Sequence, residues 1–324
     1  MRRYILFVFL IFTLRATGQH VEWRTGVRDT SYNTMSDCRK NSRQYPFIRI
    51  VPDSATSAVK ETRNLVYCQI GDRQLHIDAF IPAISSKTAT PGILIIHGGG
   101  WRSGDRSQHI PLAQHLAALG YACFTVEYRL STEAFYPAAI NDVKSAVQWV
   151  RANAKKFHIN PDQLTIVGFS AGGQMAALTG VTSGYDNFDK NDCNKKQSSA
   201  VQAVVDIDGV LSFVHTESSE FKNQQQKSAA AQWIGYFMTE RPDLWKEASP
   251  LTYAADNKVP FLFLNSSVER MHAGRDDFKK LMDEKGIYTR VINFKDTPHS
   301  FCLYYPWFNL VVADIDAFLK SLFK

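Results

Sequence analysis

A series of apolar runs, each closed by glycine or a polar residue and most followed by a helical pattern, constrains this 324-residue chain more than any other feature. The runs are "GILIIHGGG", "YACFTVEY", "QLTIVGF", "AVQAVVDIDG", "VPFLFLN" and "YTRVINF". Such strands are apolar on both faces, as strands are when helices cover a sheet on either side. The alternation therefore predicts an α/β fold, a mostly parallel sheet flanked by helices. Ligands in such sheets sit beyond the carboxyl ends of the strands, so the polar residues after each run are where chemistry is to be sought.

Earlier, "LVYCQI" and "LHIDAFI" flank Gly71 and Asp72 and read as a strand hairpin. Residues 19–60 show little periodicity and are expected to form an extended N-terminal arm. Residues 61–324 are expected to form one α/β domain, with 211–255 a small helical insertion that holds no strand signal. No internal repeat and no second domain is visible. Residues 1–18 read as a signal peptide. Arg2 and Arg3 lead it, residues 4–14 are apolar but too short to span a bilayer comfortably, and Ala16 and Gly18 are the small residues before a cleavage point. The expectation is a secreted or periplasmic protein with no membrane attachment after signal removal. An uncleaved anchor is the alternative, against which Arg15 interrupts the apolar run. The net charge of +6 is mild, and no basic run with interleaved aromatics suggests nucleic acid. The cysteine count of 5 is odd, so at least one thiol stays unpaired within the chain. Cys123, inside an apolar run, reads as a buried small hydrophobe. No spacing resembles a metal site, and no cofactor is implied.

"GFSAGG" at residues 168–173 fits G-x-S-x-G between an apolar strand and a helical run. Ser170 would occupy a tight turn that lifts its hydroxyl into the cleft, where side chains two positions away would collide with neighbouring chain. "HGGGW" at residues 97–101 closes another strand. Bare backbone N–H groups there suit a developing oxyanion, so Gly99, Gly100 and Ala171 are assigned to an oxyanion hole. His97 reads as structural, holding this loop. "DTPHSF" places His299 after the last strand, where a base for Ser170 is expected, with His272 the competitor.

Together "HGGGW", "YRL", "YPAAINDVKSAVQWV", "INPDQLTIVGFSAGG" and "TPHSF" resemble the α/β-hydrolase superfamily, and within it the hormone-sensitive-lipase-like and bacterial carbohydrate-esterase branches. The resemblance covers roughly residues 64–324. It implies a Ser–acid–His triad that hydrolyses carboxylic esters without a cofactor. For the acid two candidates stand. Glu269 lies four residues past Asn265, near where related esterases carry an Asp. Asp276 lies within "HAGRDD", a stretch similar to one found in polysaccharide esterases. The usual "HGxxD" signature is absent. Asp206 and Asp208 follow another strand and are weaker candidates, and Asp142 reads as structural. Trp101 beside the glycine loop, and Tyr304 and Trp307 after His299, are candidate substrate-binding aromatics, with Phe301 and Tyr305 beside them; packing under the last helix is the competing role for the residues after His299. The implied activity is an acetyl esterase on plant polysaccharide such as xylan or pectin. A feruloyl or general short-chain carboxylesterase is the alternative, then a serine peptidase of the same fold. A non-catalytic binding protein is disfavoured because Ser170 and His299 are both present.

Overall fold

The computed structural model describes residues 18–84, 87–185 and 188–323. The expected signal peptide, except Gly18, falls outside the described residues. Strands β2 (Val59–Ile70), β3 (Arg73–Pro82), β4 (Thr90–Ile96), β5 (Ala122–Val126), β6 (Ile159–Phe169), β7 (Ala203–Ile207), β8 (Phe261–Asn265) and β9 (Thr289–Asn293) form one sheet. Its order is β2-β3-β5-β4-β6-β7-β8-β9. The Gly71–Asp72 hairpin pairs β2 with β3 antiparallel, β3 is antiparallel to β5, and from β5 to β9 all neighbours are parallel. The mostly parallel α/β sheet expected from the sequence is therefore present, extended by an antiparallel hairpin at one edge. β1 (Arg49–Ile50) pairs with β10 (Tyr304–Tyr305) in a separate antiparallel ladder.

Side chains alternate between two cores because successive strand residues point to opposite faces. Leu94, Ile96, Leu164, Ile166, Phe261 and Phe263 pack under the helices Ala138–Ala152, Ala171–Val181 and Arg275–Glu284. Ile93, Ile95, Val167, Phe169, Leu262 and Leu264 pack against Ile110–Ala118 and Phe308–Leu322. Burial on both faces is why the runs read as continuously apolar. Among the described residues no helix is long and apolar enough to cross a membrane.

The sheet order places the site. The connection from β4 leads to β5 on one side, while β6 lies on the other, so the loops after β4 and β6 part at the carboxyl edge and leave a crevice. The glycine loop closes β4 and Ser170 closes β6. Residues 211–255 lie between β7 and β8 and carry the short helices Ser219–Lys222, Ala229–Ile234 and Pro242–Glu247. The N-terminal arm is more structured than its polar composition suggests: it contains a helix, Thr34–Asn41, capped reciprocally by Asn33 and Ser36. Cys68 on β2 is bonded to Cys193, while Cys38, Cys123 and Cys302 are free. Asp142 is fully buried and accepts from the Arg129 side chain and backbone N–H, the structural role expected of it.

Candidate active site

Ser170 sits between β6 and the helix Ala171–Val181 with φ 56° and ψ −119°. A non-glycine residue there is strained and holds only where its surroundings over-determine it. Its neighbours show what does so. A Cβ on Gly168 would stand 2.0 Å from the carbonyl oxygen of Gly172, and one on Gly172 would stand 2.2 Å from that of Ile96. Strand β6, the turn and β4 are thus in backbone contact, which no side chain at these two positions would permit. The turn aims Oγ into the cleft and points the N-terminus of the next helix at it, favouring negative charge there.

The glycine loop closes the other side. Gly99 has φ 125° and its Cα lies against the Ser103 carbonyl, where a Cβ would come within 2.2 Å. Ser103 donates its N–H and its hydroxyl to the Gly99 carbonyl, folding the loop into a tight turn. The N–H groups of Gly99, Gly100 and Ala171 donate to no other group among the described residues, and all three residues line the cleft with Ser170 and His299. His97 is buried behind them. Its Nδ1 lies 2.8 Å from the Gly98 carbonyl, its ring stacks on Tyr128, and the Tyr128 hydroxyl donates to the His97 carbonyl. Burial pushes its imidazole down to about 4, so it stays neutral and holds the loop.

Ser170 Oγ lies 2.8 Å from Nε2 of His299, and Nδ1 of His299 lies 2.9 Å from Oδ2 of Asp208. The contact to a carboxylate assigns the imidazole proton to Nδ1 and leaves Nε2 free to accept from the serine hydroxyl. Asp208 immediately follows β7, with φ 53°, and is fully buried. Its Oδ1 accepts from the Ser266 N–H at 2.7 Å, with the Asn265 amide nitrogen at 3.4 Å. His272 Nε2 stands 3.6 Å from the same oxygen, an electrostatic contact beyond hydrogen-bonding reach. Burial would raise this carboxyl, but the His272 and His299 imidazoles and the Ser266 side chain outweigh it and hold Asp208 well below the usual carboxylate range. Two residues away, burial dominates: among the described residues Asp206 has only the Gly209 N–H as a partner, and its carboxyl is pushed well above that range. The two acids at this strand end are thus shifted in opposite directions.

This corrects the expectation for the acid. Neither Glu269 nor Asp276 contacts His299. Both line a separate cavity of about 700 Å³ beside the cleft, with Arg275 and His272 in its wall. Asp276 is largely exposed and pairs with Arg275; Glu269 is exposed in the turn Glu269–His272. The loop after β8 folds away from the base and presents Asn265 and Ser266 to Asp208 instead of a carboxylate. β7 lies next to β6, so a residue just past its end reaches the imidazole without a long loop.

The aromatic expectations divide. Trp101 lines the cleft, its indole N–H donates to Gln174 Oε1 at 3.1 Å, and it stacks on Trp233 at 4.9 Å. Tyr304 does not reach the cleft: it is fully buried, with its hydroxyl on Asp37. Trp307 packs edge-on against Tyr45 and Phe47. Phe301 is buried in the core and Tyr305 sits in β10. The chain after His299 turns to pair with β1, carrying these rings away from the mouth. What the sequence did not reveal is the contribution of the arm: Asp29, Ser31, Tyr32 and Asp37 form part of the cleft wall. The cleft encloses about 420 Å³, and Phe213, Ala229 and Ala230 of the insertion face the glycine loop across it. Among the described residues no cluster of His, Cys, Asp and Glu could hold a metal ion.

Fold and site together define an α/β-hydrolase. The BD-FAE family model matches residues 77–271, well over half the chain, and the protein belongs to that family. Ser170 and Asp208 lie within the matched stretch and His299 beyond it. Among curated relatives, the chain is 28% identical over 183 residues to the esterase LipC of Mycobacterium tuberculosis, covering 55% of this chain and 44% of that one. It is 28% identical over 239 residues to the probable carboxylic ester hydrolase LipM of the same organism, covering 71% and 54%. The chain spans about half the length of these relatives. Among solved structures, a truncated form of a carbohydrate esterase from gut microbiota superposes with a TM-score of 0.68 at 25% identity, covering 82% of this chain and 99% of that one.

Proposed function

We propose that this protein is a serine esterase that hydrolyses carboxylic esters through Ser170, His299 and Asp208. The observation that carries the reading is the unbroken hydrogen-bonded sequence from Ser170 Oγ through His299 to the buried Asp208. In the first step Ser170 Oγ attacks the ester carbonyl carbon while Nε2 of His299 takes its proton. Asp208 stabilises the resulting imidazolium through the Nδ1–H. The carbonyl oxygen becomes an oxyanion, which the N–H groups of Gly99, Gly100 and Ala171 receive. Collapse expels the alcohol, which takes the proton from Nε2. Water, deprotonated by the same imidazole, then releases the acid and frees Ser170.

The substrate class proposed is an acetylated plant polysaccharide, xylan or pectin. Likeness to a carbohydrate esterase supports a sugar alcohol. A small acyl group suits the close approach of Ala229 to the glycine loop, where a Cβ on Gly100 would stand 3.2 Å from the Ala229 Cβ. Export is part of the proposal, from the signal-like residues 1–18 and from the Cys68–Cys193 bond, which suits an oxidising compartment. The test is incubation with acetylated xylan, acetylated pectin, methyl ferulate and a series of p-nitrophenyl esters, with released acetate, ferulate and nitrophenol quantified. Acetate from the polymers, and rates falling with acyl length, are expected. Ferulate as the dominant product would move the assignment to a feruloyl esterase, and activity confined to long acyl chains would overturn the polysaccharide reading. Ser170→Ala should abolish every signal.

A further inference from the structure

We infer that the N-terminal arm is a strap that sets the catalytic geometry, with Asp37 the residue that positions His299. The inference rests on the esterase reading above and goes beyond it, because the arm lies wholly outside the stretch that the family model matches.

One end of the strap grips the base loop. Asp37, on the helix Thr34–Asn41, accepts through Oδ2 from three donors: the hydroxyl of Ser300, the hydroxyl of Tyr304 at 2.6 Å and the side-chain amide of Asn41 at 2.9 Å. Ser300 is the residue directly after His299, and both it and Tyr304 are buried. Asn41 also donates to the Ser300 oxygen, closing a small network. Just beyond, Val51 donates to the Leu303 carbonyl and β1 pairs with β10, so Asp37 acts from a docked segment. On its other side the base loop is held by Thr297, whose N–H donates to the Ser267 hydroxyl oxygen and whose own hydroxyl donates to the Phe294 carbonyl. His299 therefore stands between a fixed sheet edge and the strap.

The other end grips the glycine loop. Arg28 donates to the Gly104 carbonyl at 2.5 Å and pairs with Asp105 at 2.7 Å. Asp29 pairs with Arg102 at 2.8 Å, the residue after Trp101. Ser31 and Tyr32, between these two grips, line the cleft. A single segment thus spans from the oxyanion donors to the base and fixes the separation of two loops that no strand pairing joins. Charge-assisted bonds suit this task, since they are the shorter and stronger kind. Removing the Asp37 carboxylate would leave the Ser300 and Tyr304 hydroxyls buried without their acceptor and free the loop to shift. A shift of about 1 Å at a catalytic group costs on the order of 100-fold in rate.

The experiment compares wild type, Asp37→Ala, Asp37→Asn and Ser300→Ala for kcat, KM and the pH profile of kcat/KM on p-nitrophenyl acetate, for labelling rate by a fluorophosphonate, and for Tm. Asp37→Ala should lower kcat by about 10- to 100-fold with KM moved less than about threefold, and should shift the acid limb of the profile, because His299 loses its fixed seat. Labelling should slow by the same factor. Asp37→Asn, which keeps an acceptor oxygen, should recover part of the loss. Ser300→Ala removes one hydroxyl and leaves the Tyr304 contact and the strand ladder, so it should lower kcat several-fold at unchanged Tm even if Asp37→Ala fails to fold. Ser300→Ala with wild-type kcat and pH profile would overturn the positioning role. A wild-type protein that neither turns over esters nor labels would instead overturn the esterase reading, and this inference with it.

Discussion

The carboxylate of Asp208 meets Nδ1 of His299 at 2.9 Å across 91 residues of chain, from the end of β7 to the loop beyond β9. Asp208 is fully buried there while His299 keeps one edge toward the cleft. A carboxylate so placed orients the imidazole and fixes its Nδ1 as the proton-bearing nitrogen.

Replacing that acid separates it from the two carboxylates that the sequence put first. Asp208→Asn should lower kcat by about 10⁴-fold, because an amide cannot hold the same imidazole tautomer. Glu269→Gln and Asp276→Asn should stay within about twofold, since surface changes away from a site rarely matter. Initial rates on p-nitrophenyl acetate decide this, with circular dichroism to confirm folding.

The elbow makes a prediction about backbone contact. Gly172→Ala puts a methyl 2.2 Å from the Ile96 carbonyl oxygen, where only movement of β4 or of the helix relieves the clash. Overpacking of this kind costs about 1–3 kcal/mol or more. A melting temperature lowered by several degrees, together with a large loss of turnover, is expected by differential scanning fluorimetry and assay.

Acid pH should loosen the fold through the buried histidines. The His97 imidazole is held at about 4 by burial, against 6.5 for an exposed one. Between those values the unfolded chain binds the proton and the folded chain does not, so stability falls as pH falls. From His97 the loss is about 2 kcal/mol between pH 6.5 and 5. His109, pushed down to about 3 by burial, acts with the same sign. Urea unfolding at pH 7 and pH 5 measures the slope, and His97→Gln should flatten it. Asp208, held below the carboxylate range, stays ionised throughout this window, so its protonation should take no part in any fall in activity.

The Cys68–Cys193 bond closes a loop of 125 residues that includes β4, β6 and Ser170. In the chain-entropy account a loop of this length stabilises by up to about 5 kcal/mol. Cys193→Ser, or reductant, should lower Tm measurably while leaving kcat of the folded protein near wild type. Thermal melts with and without dithiothreitol test it.

The strand–turn–helix at Ser170, the glycine loop and the position of His299 could be read from local pattern, because each requires particular residues at fixed spacing. Asp208 could not be singled out that way. A carboxylate past a strand looks the same after β7 as after β8, and only sheet order shows which strand end adjoins Ser170. One signal was available: the residue ending β8 is Asn265, an amide where a triad acid was sought, while "DIDG" ends β7 with two acids. Tyr304 and Trp307 misled for a related reason. They follow His299 closely in sequence, but pairing of β10 with β1 turns the chain out of the cleft. The arm was illegible because its role depends on partners far along the chain, such as Ser300, and no periodicity records such contacts.

The Asp37–Ser300 contact joins residues 263 positions apart. The imidazole therefore gains its seat only when the arm meets the segment that follows β9, the last strand of the main sheet in chain order.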